Sequence, residues 1–184
     1  MLIGDGMSLS QITSYRLLKE GPNGRVAVDD FPVSGIVLTH SADAIITDSA
    51  SSATAYSTGS KTKNSYLGLD KDGRVLENIT EKLDNYGFVS ALVSTSEITH
   101  ATPAAFSAHV DSRWNTDEIS SQMLGSKVAT ILGGGRNFFL PAEQGGKRKD
   151  KKNLLEEAKN SHKILTHKNQ LTISNINPSE KILG

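Results

Sequence analysis

The sequence predicts an α/β fold, with helices covering a sheet. Short apolar runs alternate with segments whose apolar residues recur at helical spacing. No internal repeat and no low-complexity linker divides the 184 residues, so residues 1–184 read as part of a single domain.

The elements follow in chain order. Met1 to Gly6 reads as the end of a buried strand entering a glycine loop. Such a strand needs residues before it to pair, so the reading expects a chain short of its natural start. A leader could have been lost with that start, and no signal peptide is visible in the chain itself. Val33 to His40 is the next expected strand. Ser49 to Ser57 is a helix of small residues closed by Gly59. Leu76, Ile79, Leu83 and Tyr86 share one helical face, and Gly87 ends that helix. Phe88 to Thr95 reads as a buried strand. Thr102 and Pro103 predict a helix start, with threonine capping and proline in the first turn, and Ala104 to Val110 continues it. Asp117 to Leu124 is helical. Val128 to Leu132 is a short strand that ends in Gly133-Gly134-Gly135-Arg136. Leu154 to Lys159 is helical, and Ile182 to Gly184 reads as a strand.

Composition excludes several kinds of chemistry. Lysine and arginine number 20 and so do aspartate and glutamate, so no global charge calls for nucleic acid or an anionic membrane as partner. No apolar run approaches the roughly 20 residues of a membrane span. The absence of cysteine rules out disulfides, thiolate metal sites and a cysteine nucleophile. The run Lys147 to Lys152 has no interleaved aromatics and reads as a solvated loop. Asp70-Lys71-Asp72-Gly73 lacks the later acidic positions of a calcium loop and reads as a tight turn. The triple glycine is followed by no Gly-Lys-Ser/Thr and so is not a phosphate-cradling P-loop. The five histidines form no i, i+4 pair suited to a metal, and His109 reads as packed or solvated.

Three positions carry candidate chemistry. Ser49 follows Asp48 where a helix of small residues begins, and free N–H groups there attract an anion that a serine oxygen could attack. The same pair also suits an ordinary helix cap. Asp5 lies between two glycines at an expected strand end, where a carboxylate could hold a metal or serve a plain turn. Arg113 offers a planar fork for two phosphate oxygens, or a surface cation.

Four ordered blocks resemble the alkaline phosphatase family along essentially the whole chain. They are Leu2-Ile3-Gly4-Asp5-Gly6-Met7, the run from Thr47 to Gly59, the stretch from His100-Ala101-Thr102-Pro103 to Asp111-Ser112-Arg113, and Leu132-Gly133-Gly134-Gly135-Arg136. The resemblance implies a three-layer α/β/α sandwich with a mostly parallel sheet, truncated at its C-terminal side. It implies hydrolysis of phosphate monoesters through a phosphoserine at Ser49, with two zinc ions and one magnesium. Arg113 matches the arginine that holds phosphate, and Asp48 the aspartate that orients it. Asp5 and Thr102 match metal ligands, Ser49 bonds a zinc, and His100 stands beside the third metal site, where some members have aspartate. Most metal ligands of the family have no counterpart in this chain, which is expected to be inactive by itself. A related phosphodiesterase or sulfatase is the alternative. The resemblance also implies a homodimer outside the cytoplasm, periplasmic or secreted.

Overall fold

The computed structural model describes residues 1–172 and 180–184, and the chain divides into two compact units, Met1–Leu38 and Thr39–Gly184. In the first unit, α1 (Leu9–Glu20) starts at Ser8, whose hydroxyl accepts the Ser10 N–H while the Gln11 side chain accepts the Ser8 N–H. Arg16 pairs with Asp29, which accepts the Val26 N–H at 2.9 Å ahead of a 3-10 turn over Ala27–Asp30. The sequence reading passed over α1, a 12-residue helix that buries none of its side chains. The strand expected over Met1 to Gly6 is absent: the segment is exposed and turns at Asp5 and Gly6. Val33–Leu38 is likewise exposed and irregular, as are Thr39 and His40 at the start of the second unit.

The second unit is an α/β fold. Among its described residues, β1 (Ala91–Glu97), β2 (Thr130–Gly134), β3 (His162–Ile164) and β4 (Lys181–Leu183) form one parallel sheet in the order β1-β2-β4-β3. The placement of β4 between β2 and β3 requires crossovers, as parallel strands do. Four-residue α4 (Ala101–Ala104) packs on α2 (Ser49–Thr58) and on β1. Both helices turn alanines inward: Ala50, Ala53, Ala101 and Ala104 are buried in one core with Ile131 of β2. Small side chains let the helix backbones approach closely. The core continues through Ile119 and Met123 of α5 (Thr116–Gly125) and Leu154 of α6 (Leu154–Ala158).

Gly59 closes α2 with φ 77° and ψ 5°, the left-handed cap that glycine adopts without Cβ strain. Gly68 has φ 60°, and a Cβ there would stand 2.4 Å from the His109 ring. That ring packs between the Gly68 carbonyl and the Glu81 carboxylate, at 2.9 and 2.8 Å.

Several expectations are corrected. α3 spans only Ile79–Asp84 and turns Thr80 inward rather than Ile79 and Tyr86, because the Thr80 hydroxyl caps the Phe106 carbonyl at 2.8 Å. β1 begins at Ala91 rather than Phe88, and only Leu92 along it is buried. His100, not Thr102, is the N-cap of α4, which ends at Ala104 instead of running to Val110. Val110 instead pairs antiparallel with Leu67, with N–H···O bonds of 2.8 and 2.9 Å. In the basic run, Arg148 is only 1% exposed, bonded to Asp117 O and to the side chains of Ser120, Ser121 and Asp150. The Asp70–Gly73 segment is the expected tight turn, with Gly73 N–H on Asp70 O at 3.1 Å.

Candidate active site

The site grows from the start of α2. Asp48 is extended, φ −99° and ψ 177°, and its Oδ1 accepts the Ser51 N–H at 2.9 Å and the Ser51 hydroxyl at 3.0 Å. Asp48 is thus a helix cap. Its other oxygen, Oδ2, takes two more donors: the Ser65 N–H at 3.1 Å and Arg113 Nη1 at 3.2 Å. Four donors converge on one carboxylate, which is more than capping requires. Burial by itself would raise the Asp48 pKa. The Ser51 N–H, the Arg113 guanidinium, the Ser51 hydroxyl and the Ser65 N–H outweigh that penalty and hold it below the ordinary aspartate value.

Ser49 is the first residue of α2 and is half-buried. The N–H groups of a helix's first turn have no acceptor within the helix, and the helix dipole is positive there. Thr47 Oγ1 lies 2.7 and 2.9 Å from the hydroxyls of Ser51 and Ser52, so the turn around Ser49 is held on both sides.

Arg113 reaches this place because Val110 is tied to Leu67 and the Arg113 N–H donates to Ser65 O at 2.9 Å. Its Nη2 lies 3.1 Å from His100 Nε2. A guanidinium can only donate, so His100 Nε2 accepts and the ring proton sits on Nδ1. The Trp114 ring centroid lies 5.3 Å from Arg113 Cζ, within cation–π range, and the indole is 77% exposed. The structure therefore brings Asp48, Arg113 and His100 into one connected cluster. Thr102 is the second residue of α4, whose C-terminal end is tied to α2 by a 2.8 Å bond from Ser57 Oγ to Ala105 O. Asp5 lies in the other unit, exposed in its turn.

Sequence reasoning missed Asn64 and Ser65. Both contact Asp48, yet in sequence they look like any polar turn after a helix. No three His, Cys, Asp or Glu side chains among the described residues are grouped so that they could hold a metal ion.

The alkaline phosphatase family model matches residues 1–184. The chain belongs to the alkaline phosphatase family. It is 36% identical to alkaline phosphatase 4 of Bacillus subtilis over 100% of this chain and 40% of that protein. Against the Escherichia coli alkaline phosphatase it is 36% identical, covering 86% of this chain and 39% of that protein. The chain thus spans well under half the length of these curated relatives. The structure of alkaline phosphatase from the Antarctic bacterium TAB5 superposes with a TM-score of 0.86 at 38% identity, covering 98% of this chain and 50% of that one. A variant of the Antarctic enzyme with histidine replaced by aspartate, described as having Mg bound in the M3 site, superposes equally well, at TM-score 0.86 and 37% identity. No helix among the described residues is long and apolar enough to cross a membrane.

Proposed function

We propose that the complete protein hydrolyses phosphate monoesters by passing the phosphoryl group through Ser49. The observation that carries this reading is the Asp48–Arg113 pair, 3.2 Å apart, formed by the residue immediately before Ser49 at the start of α2. Asp48 takes one arm of the guanidinium. The fork then has a fixed orientation from which to grip phosphate oxygens, and charge-assisted bonds of this type are the strong ones. The helix N-terminus adds partial positive charge where the phosphoryl oxygens gather negative charge.

The chemistry balances in two displacements. Ser49 Oγ gives up its proton to solvent and bonds phosphorus, while the ester oxygen leaves with the bonding pair and takes up a proton as the alcohol. Water then attacks the phosphoserine, freeing Ser49 and inorganic phosphate. The contacts assigned here grip the phosphoryl group and not the alcohol, which favours a broad range of monoesters.

Family membership supports zinc and magnesium dependence of the complete enzyme, with Asp5, Ser49 and Thr102 among the donors. Turnover is proposed for the complete enzyme, since the chain spans well under half the length of its curated relatives. Homodimerisation and a periplasmic or secreted location are proposed on the same ground. The test is acid trapping of the complete enzyme with radiolabelled phosphate ester, followed by peptide mapping. Label on the Ser49 peptide, lost in Ser49→Ala, is the expected result; label elsewhere, or undiminished label in the variant, would sink the reading.

A further inference from the structure

We infer that Asn64 is a positioning residue for Arg113 and acts through Asp48; this rests on the phosphate-binding role proposed for Arg113. Asn64 Oδ1 accepts the Asp48 N–H at 3.1 Å and shares the Ser51 hydroxyl, 2.9 Å away, with Asp48 Oδ1, while its Nδ2 donates to Ile46 O at 3.0 Å. Its own N–H donates to Asp43 Oδ1 at 3.0 Å, and that oxygen also accepts the Ser41 hydroxyl at 2.9 Å. One side chain thus bonds the segment on both sides of Ser49, at Ile46 and Asp48 before it and at Ser51 after it.

The next residue completes the arrangement. Ser65 donates its N–H to Asp48 Oδ2 at 3.1 Å and accepts the Arg113 N–H on its carbonyl at 2.9 Å. It does so at φ 71°, a conformation that non-glycine residues adopt at a cost and keep only where the surroundings demand it. Asn64 and Ser65 therefore grip both members of the ion pair, Asp48 from backbone and carboxylate sides and Arg113 from its backbone.

The chemistry explains the residue type. The site needs an acceptor facing Asp48 and Ser51 and a donor facing Ile46, on one short planar group. Asparagine supplies both without charge, whereas aspartate would lose the donor and place a second carboxylate beside Asp48. A binding fork displaced by even a fraction of an ångström loses much of its value, so the effect should appear in phosphate affinity.

The experiment is a double-mutant cycle in the complete enzyme, with Asn64→Ala, Arg113→Ala and both together. The readouts are the inhibition constant of inorganic phosphate, kcat and KM on a chromogenic aryl phosphate, and the unfolding midpoint. Asn64→Ala should weaken phosphate binding about tenfold, and Arg113→Ala should weaken it further. In the double variant the constant should stay within about twofold of Arg113→Ala alone, because the residue through which Asn64 acts is gone. Full additivity, or an unchanged constant in Asn64→Ala, would overturn the inference. If the alanine variant is isolated unfolded, Asn64→Ser, whose hydroxyl is too short to span Ile46 and Asp48 together, is read in the same cycle. An unchanged constant in Arg113→Ala is a separate result: it removes the role of Arg113 itself, and the inference falls with it.

Discussion

The Arg113 guanidinium meets the Asp48 carboxylate at 3.2 Å across 65 positions of chain, and the pair is largely withdrawn from solvent, with side-chain exposures of 14% and 24%. The Leu67–Val110 pairing and the Arg113 N–H bond to Ser65 O bring the two stretches of chain together. Removing Asp48 therefore does two things. Asp48→Ala should cost roughly 2–3 kcal/mol, from the lost cap and from a guanidinium left without its partner. Denaturant unfolding of the complete enzyme measures it. The carboxyl pKa is depressed in the fold, so its contribution is fully present above about pH 4, the unfolded value, and is lost as pH falls through the lower folded value. Asp48→Asn should flatten that part of the acid limb; an unaltered limb would show that Asp48 does not carry it.

Ser49→Ala and Arg113→Ala should differ in kind. The first removes the proposed nucleophile and should lower kcat by several orders of magnitude. The second removes charge-assisted bonds worth roughly 1.5–3 kcal/mol each, a loss of about 10- to 150-fold per bond in kcat/KM. Steady-state kinetics on one aryl phosphate compares them, and equal losses would reverse the ranking.

His100 is predicted to tune the metal preference of the complete enzyme. As a neutral acceptor for Arg113 it adds no negative charge, whereas magnesium favours an oxygen shell with carboxylates. His100→Asp should strengthen magnesium binding, because a carboxylate adds the charge and oxygen donor that magnesium favours. Magnesium titration at fixed zinc, by calorimetry and by activity, checks this; superimposable curves would dismiss the role.

Burial lowers the pKa of His162, and the Lys181 charge lowers it further. The fold therefore favours the neutral ring. Its contribution is complete above about pH 6.5 and declines as pH falls through the depressed folded value. His162→Leu should remove this decline between neutral and mildly acidic pH. Thermal unfolding across that range is the measurement, and an identical slope in the variant would assign the decline elsewhere.

Arg148 should matter more to stability than its place in a basic run suggests. Its guanidinium serves the Asp117 and Phe138 carbonyls, two serine hydroxyls and the Asp150 carboxylate while nearly fully buried. Arg148→Ala should cost about 3–5 kcal/mol, and Arg148→Lys should not restore it, because a point charge cannot reproduce the fork. Neighbouring Lys149→Ala should lie within about 0.5 kcal/mol of the parent. Similar unfolding midpoints for all three would refute the assignment.

The sequence by itself determined the α/β class, the helix from Ser49 to its glycine stop, the strand around Ile131 and the family. These rest on local signals: a capping aspartate, a run of small residues, a glycine cap and ordered motif blocks. The motifs singled out Ser49, Arg113 and Asp48, though each alone also suited a cap or a surface cation, and the structure joins Asp48 to Arg113. Tertiary structure decided what pattern could not. Thr102 has the chemistry of a cap, yet His100 caps α4, and Arg148 sits in a charged run, yet is buried among oxygen acceptors. Asn64 and Ser65 carry no sequence signal beyond a polar turn. Their importance arises only when Leu67 and Val110 pair and bring Asp48 and Arg113 within reach of the same two residues. Spacing along a chain encodes the faces of single helices and strands, whereas the convergence of donors on one carboxylate depends on how separate elements pack.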